Sequence, residues 1–110
     1  MVVDNYEKSL AATVVHYIND SLADYDAEEF SLTTLAKHWG EMKGYSLCFQ
    51  FSPEGPLGPN NTADFATLQT LLGTAPVLGD GEEDYKNDLL EARTLLQDAY
   101  GFAAEDVENW

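Results

Sequence analysis

The chain has 110 residues, of which 45% are hydrophobic, and this length and composition fit one globular domain. Its 20 acidic and 5 basic residues give a net charge of -15, which argues against nucleic acid and anionic membrane surfaces, because both require clustered lysine and arginine. Divalent cations and basic proteins remain open as partners, and so does the simpler interpretation that the charge serves solubility. No apolar run approaches membrane-spanning length, so we expect no membrane insertion.

The first predicted helix runs from about Asp4 to Tyr25. Asp4 followed by Glu7 resembles a capping box at its start. Its apolar residues recur every three or four positions, which predicts one buried stripe. These residues are Tyr6, Leu10, Val14, Ile18 and Leu22.

The second predicted helix runs from about Asp26 to Phe49, and Asp26 with Glu29 again suggests a capping box. Its stripe contains Leu35, Trp39, Met42 and Phe49. Gly40 and Gly44 share one face, where they would allow a neighbouring backbone to approach closely or mark a bend. The only cysteine, Cys48, lies among aromatic residues and is typical of a buried, unreactive thiol.

Two irregular loops and two further helices follow. Prolines and glycines predict a loop over Ser52–Asn61, and a short helix should then cover Ala63–Leu72, with Thr62 as its cap and Gly73 at its end.

A second loop is expected over Thr74–Gly81, before a fourth helix over Glu82–Tyr100. Asp80 and Glu83 suggest a third capping box, and Gly101 occupies the position of a left-handed helix cap. The last residues, 103–110, form a short acidic tail. The predicted fold is an all-α, antiparallel four-helix bundle-like domain.

His38 and Glu41 are three residues apart, so they are neighbours on one helix. Such a pair is the smallest unit from which a helical bundle builds a metal site, but it is also an ordinary surface pair. His16 and Asp20 share a face of the first helix. If the two helices pack antiparallel through a short turn near Asp26, His16 and His38 lie almost side by side and form a cluster of two histidines and two carboxylates.

Signals for catalysis are missing. The sequence contains no Gly-x-Ser-x-Gly elbow, no His-Glu-x-x-His zinc-peptidase motif and no phosphate-binding glycine loop. The carboxylates of the run Asp80–Asp84 are ligands that calcium accepts, but their spacing is not that of an EF-hand, and favourable charge at a helix N-terminus explains them without an ion. The sequence therefore favours a non-catalytic protein, with metallopeptidase activity as a distant alternative.

Several segments together resemble a family of uncharacterised exported proteins, many of them lipoproteins of Bacteroidetes-type bacteria, distantly related to imelysin-like proteins. The segments are 37–44 (KHWGEMKG), 49–53 (FQFSP), 75–78 (APVL), 92–102 (ARTLLQDAYGF) and the final Asn109-Trp110. Imelysin-like proteins carry a His-x-x-Glu pair preceded by glycine two positions earlier. His38 and Glu41 match the pair, whereas Ala36 replaces that glycine.

The resemblance implies an all-helical bundle, export to the periplasm or outer cell surface, and an association with iron uptake. Members of the family are longer than this chain, which then corresponds to a C-terminal part or a naturally short form.

Two functional hypotheses remain open. The first is a non-catalytic binding module that holds a divalent metal, iron or zinc, through His38, Glu41, His16 and Asp20. The second is a structural module that self-associates or completes a larger helical assembly with another chain, because its large apolar residues and glycines exceed the needs of one narrow stripe. The residues expected at such an interface are Trp39, Gly40, Gly44, Phe49, Phe51 and Trp110.

Overall fold

The computed structural model describes residues 2–51, 56–58 and 62–110, with side chains from Glu7 onward. This part of the chain is all-α, as the sequence predicts, and contains no strand. Two 3-10 turns, Cys48–Phe51 and Gly79–Gly81, accompany the helices. The helices are α1 (Val2–Asp26), α2 (Leu32–Leu47), α3 (Thr62–Leu72), α4 (Glu82–Tyr100) and α5 (Ala104–Asn109).

The predicted start of the second helix is wrong. The helix begins at Leu32 rather than at Asp26, because the Ser31 hydroxyl caps it by accepting a hydrogen bond from the Thr34 N–H at 3.2 Å. Residues 27–31 form a connection instead. The first helix likewise begins at Val2, so Asp4 lies inside it and does not cap it.

The boundaries of α3 and α4 agree closely with the prediction. Gly73 ends α3 in a left-handed conformation at φ 77°, and Gly101 ends α4 at φ 71°. Thr62 is the first residue of α3 rather than its cap. The capping box expected from Asp80 and Glu83 does not form, because the helix starts from a 3-10 turn.

In that turn the Glu82 carboxylate accepts a hydrogen bond from the Gly79 N–H at 2.9 Å.

Of the first predicted loop, residues 52–55 and 59–61 lie outside the described residues.

The acidic tail forms a fifth helix, which the sequence did not predict. Asn19 on α1 donates hydrogen bonds to the carbonyls of Val107 and Trp110 at 2.8 and 2.9 Å, and its own carbonyl accepts one from Arg93 on α4. The Trp110 ring meets Phe102 edge-to-face at 4.8 Å. One amide on α1 therefore holds both α4 and α5.

The core forms where α1 packs against α2 and α4, and α3 packs against α4 and α2. Each fully buried leucine contributes about 1.5–3 kcal/mol relative to an exposed one. A buried polar chain crosses this core: Trp39 donates to the Tyr85 hydroxyl at 2.6 Å, and that hydroxyl donates to the Leu72 carbonyl at 2.6 Å. The largest fully buried side chains include Val14, Val15, Ile18, Leu35, Met42, Phe49, Leu57, Leu68, Leu72, Leu89, Leu96 and Val107.

None of the helices in the described ranges has the length and hydropathy needed to cross a membrane.

Candidate functional site

The candidate site lies on the surface where α1 and α2 run antiparallel. His16, Asp20 and Asp24 follow each other at intervals of four on α1, so they form one row along that helix. His38 on α2 faces this row. We call these four residues the histidine–carboxylate cluster.

Two histidines converge on one carboxylate oxygen in this cluster. The Nε2 atom of His16 lies 3.2 Å from Oδ2 of Asp20, and the Nε2 atom of His38 lies 3.8 Å from the same oxygen. The other ring nitrogen of His38, Nδ1, lies only 2.6 Å from Oδ2 of Asp24. Both nitrogens of the His38 ring therefore face carboxylates of α1.

The four side chains of the cluster differ in their exposure to solvent. The His16 side chain is 53% exposed and Asp20 is 33% exposed, whereas His38 and Asp24 are 24% and 15% exposed. His16 is therefore the most exposed of the four residues and Asp24 the most enclosed.

Glu41, expected beside His38, pairs with Tyr17 instead. A hydrogen bond to the Glu41 carboxylate, together with its negative charge, raises the pKa of the Tyr17 hydroxyl to about 12. The Tyr17 ring also stacks on Tyr45 of α2, with ring centroids 5.8 Å apart and planes at 7°. The carboxylates within 4 Å of the His38 ring belong to Asp20 and Asp24.

The register of the two helices differs from the expectation in a way that explains these partners. A turn near Asp26 would have placed His38 almost opposite His16. Because residues 27–31 form a longer connection, His38 lies opposite Asp24, which is about two helical turns closer to the loop than His16. Asp20, between Asp24 and His16 on α1, brings the two histidines together through a shared oxygen.

The cluster is not a preformed metal centre. In the ranges that the structure describes, no group of three or more His, Cys, Asp or Glu side chains is arranged so that it could hold a metal ion. Two imidazole nitrogens and one carboxylate oxygen are nevertheless the donor types that zinc and ferrous iron accept. The donor chemistry suits these ions, but the described side chains would have to rearrange to hold one.

The residues expected at an interface divide between core and surface. Phe49 is fully buried, and Trp39 packs against the core, so neither offers a surface in this chain. Phe51 is 76% exposed and Trp110 is 36% exposed. A Cβ atom on Gly40 or Gly44 would meet nothing within 4 Å, so neither glycine serves a close approach within the described chain.

Two shallow depressions flank the Tyr17–Tyr45 stack. One, of about 310 Å³, is lined by Ala12, Thr13, His16, Tyr17 and Trp110. The other, of about 300 Å³, is lined by Glu41, Gly44, Tyr45 and Cys48. Together with the stacked rings they form a continuous surface, which we call the α1–α2 face.

No protein-family model, curated protein or solved structure matches this chain.

Sequence reasoning missed two residues of this site, Asp24 and Tyr17. A signal for Asp24 was present, because it continues the row of His16 and Asp20 at the same spacing of four. Tyr17 carried no such signal, since its position beside Glu41 and Tyr45 follows only from the register of α1 against α2.

Proposed function

We propose that this domain is a non-catalytic binding module that takes up a divalent transition-metal ion at the histidine–carboxylate cluster, with His16, Asp20 and His38 as its ligands. The observation that carries the proposal is the approach of both Nε2 atoms to within 4 Å of the same Asp20 oxygen. An ion between them would exploit two neutral imidazoles and one carboxylate, a donor set suited to zinc and ferrous iron.

Ion binding at this place requires a small local rearrangement. The side chains in the described ranges do not themselves form a metal-holding group, and the His16 side chain is 53% exposed, which leaves its ring room to move. We therefore expect the unliganded protein to bind an ion by closing the cluster rather than by filling a rigid cage. Solvent or a further protein group would complete the coordination, as in sites with an open position.

Net charge favours cation uptake in general. The chain carries -15, and a negative surface raises the local concentration of cations. This term is common to the whole surface and does not select the cluster. Selection comes from the imidazoles, because they prefer transition ions to calcium or magnesium.

Calorimetric titration with Zn²⁺ tests the proposal, and the same titration with Fe²⁺ without oxygen tests the link to iron that the family resemblance implies. The wild type should bind one ion, and His38→Ala should weaken binding by at least about 10-fold, which corresponds to about 1.4 kcal/mol. Asp20→Asn should do the same, whereas Asp98→Asn, an exposed carboxylate on α4, is the matched control and should bind as the wild type does.

Glu41→Gln separates this site from the helix pair that the sequence suggested. In the structure Glu41 is engaged by Tyr17, so its replacement should leave Zn²⁺ affinity within about 3-fold of the wild type, less than 1 kcal/mol. Loss of binding in Glu41→Gln with retention in His16→Ala would move the site to His38 and Glu41. Binding that no variant weakens would remove the proposal.

A second candidate function is that of an interaction module, which the exposed aromatic residues favour. Phe51 is 76% exposed, and Tyr45 on the α1–α2 face is 44% exposed next to the uncovered Gly44. Large exposed aromatic groups tend to anchor interfaces. Self-association or docking of another chain would cover them.

Sedimentation equilibrium at micromolar concentration tests self-association. A dimer that Phe51→Ser or Tyr45→Ser converts to monomer would support this second function. Leu90→Ser, which removes an exposed apolar group from α4, is the control. A monomer at every concentration would exclude self-association and leave only a different chain as a partner.

A further inference from the structure

Asp24 belongs to the histidine–carboxylate cluster but is not one of the three proposed ligands. Its Oδ2 atom lies 2.6 Å from Nδ1 of His38, the shortest contact of the four residues. A contact of this length between a ring nitrogen and a carboxylate is a charge-assisted hydrogen bond, and it requires a proton between the two atoms. With the proton on Nε2 instead, a nitrogen lone pair would oppose a carboxylate oxygen at that distance.

We infer that Asp24 is a positioning residue: it holds His38 as the tautomer protonated on Nδ1 and thereby presents the Nε2 lone pair to Asp20 and His16. The hydrogen bond at one ring nitrogen decides which state the other nitrogen adopts. At 3.8 Å, the Asp20 oxygen lies beyond hydrogen-bond distance of Nε2, so no hydrogen bond to Asp20 favours a proton on Nε2.

The surroundings make Asp24 suited to this task. Its side chain is 15% exposed, less than Asp20 at 33%, so water competes less for its hydrogen bond. Both partners lie within helices, Asp24 in α1 and His38 in α2, so helix packing fixes their separation. A carboxylate that orients the ring of a metal-binding histidine is a recurrent feature of metal sites, and its loss usually costs 10- to 100-fold in affinity.

The contribution of this hydrogen bond to metal binding rests on the proposed function. The tautomer of His38 can be tested without any metal. Nitrogen-15 NMR of the metal-free protein, at a pH where the ring is neutral, distinguishes the protonated from the unprotonated ring nitrogen. We expect His38 to be protonated on Nδ1 in the wild type. Asp24→Ala removes the acceptor, and the proton should then move largely to Nε2.

A control variant, a second Asp24 variant and a second measurement complete the test. Asp98→Ala, an exposed aspartate on α4, should leave His38 unchanged. Asp24→Leu also removes the acceptor, keeps a side chain of similar size, and serves if the alanine variant fails to fold. Zn²⁺ affinity should fall about 10-fold or more in Asp24→Ala while helix content measured by circular dichroism is retained.

The outcomes separate the two claims. A wild-type His38 protonated on Nε2 overturns the inference about Asp24 whatever the metal data show. A ring protonated on Nδ1 that responds to Asp24→Ala upholds it, even if no variant binds Zn²⁺ and the proposed function fails. Unchanged His38 signals in both Asp24 variants overturn it as well.

Discussion

At the scale of single residues, the candidate site is built from side chains whose partners lie on the opposite helix. His38 meets Asp24 and Asp20 rather than the neighbour three positions along its own helix, and Glu41 meets Tyr17. The same surface therefore contains one row of histidines and carboxylates and one tyrosine–glutamate pair. We propose the first as an ion site, while the second links a residue of α1 to one of α2.

The Tyr17–Glu41 pair predicts a specific loss of stability at alkaline pH. The pKa of Tyr17 is about 12 in the folded chain and near 10 in an unfolded one, so the unfolded state releases the proton first. The stability that this difference provides is complete below pH 10 and is lost as the pH rises towards 12. Urea unfolding at pH 8 and pH 11 should show a smaller alkaline loss in Tyr17→Phe than in the wild type.

Burial raises the pKa of Tyr85 and Tyr100 in the same direction, so the wild type should weaken further above pH 10 through both. The comparison at Tyr17 isolates one contribution, since the Phe variant keeps the stacked ring. An equal alkaline loss in both proteins would show that Glu41 does not hold the Tyr17 proton.

At the scale of helices, register determines which residues meet. The periodicity of apolar residues predicted four of the five helices and most of the core, because burial of one stripe is a local property of each helix. Capping was harder to predict: Asp26 and Glu29 matched a capping box, yet Ser31 caps α2. That displacement lengthened the connection and changed the partner of His38, so the sequence suggested the right helices but an incorrect pairing across them.

The fifth helix illustrates what local patterns do not carry. Its six residues, Ala104–Asn109, contain a single buried apolar side chain, Val107, so no apolar periodicity predicts this helix. Its position depends on the amide of Asn19, which is distant in sequence and unremarkable in pattern. The spacing of residues within one segment does not predict hydrogen bonds between segments that are distant in sequence.

Asn19→Ala should therefore release α5 and weaken the whole fold. The substitution removes two donated hydrogen bonds and one accepted bond, and leaves the carbonyls of Val107 and Trp110 without this donor. We expect a loss of about 1–3 kcal/mol in the free energy of unfolding. Amide hydrogen exchange should accelerate first in α5. Asn87→Ala, an exposed position on α4, should change neither quantity.

At the scale of the whole molecule, the net charge of -15 should make the stability of the fold depend on salt concentration. Like charges repel across a small surface, and salt screens that repulsion. The melting temperature should therefore rise between low and moderate sodium chloride concentrations. A flat or falling curve would show that the carboxylates are already paired or neutralised by bound cations, which would leave fewer free sites for an added ion.

If the histidine–carboxylate cluster binds a transition-metal ion as we propose, anomalous X-ray scattering from crystals grown with Zn²⁺ will show the ion at this place. Data collected on both sides of the zinc absorption edge locate the ion without reference to affinity. We predict one peak at about 2.0–2.2 Å from Nε2 of His16, Nε2 of His38 and an oxygen of Asp20. Absence of a peak there, or a peak only at the acidic start of α4, would contradict the account.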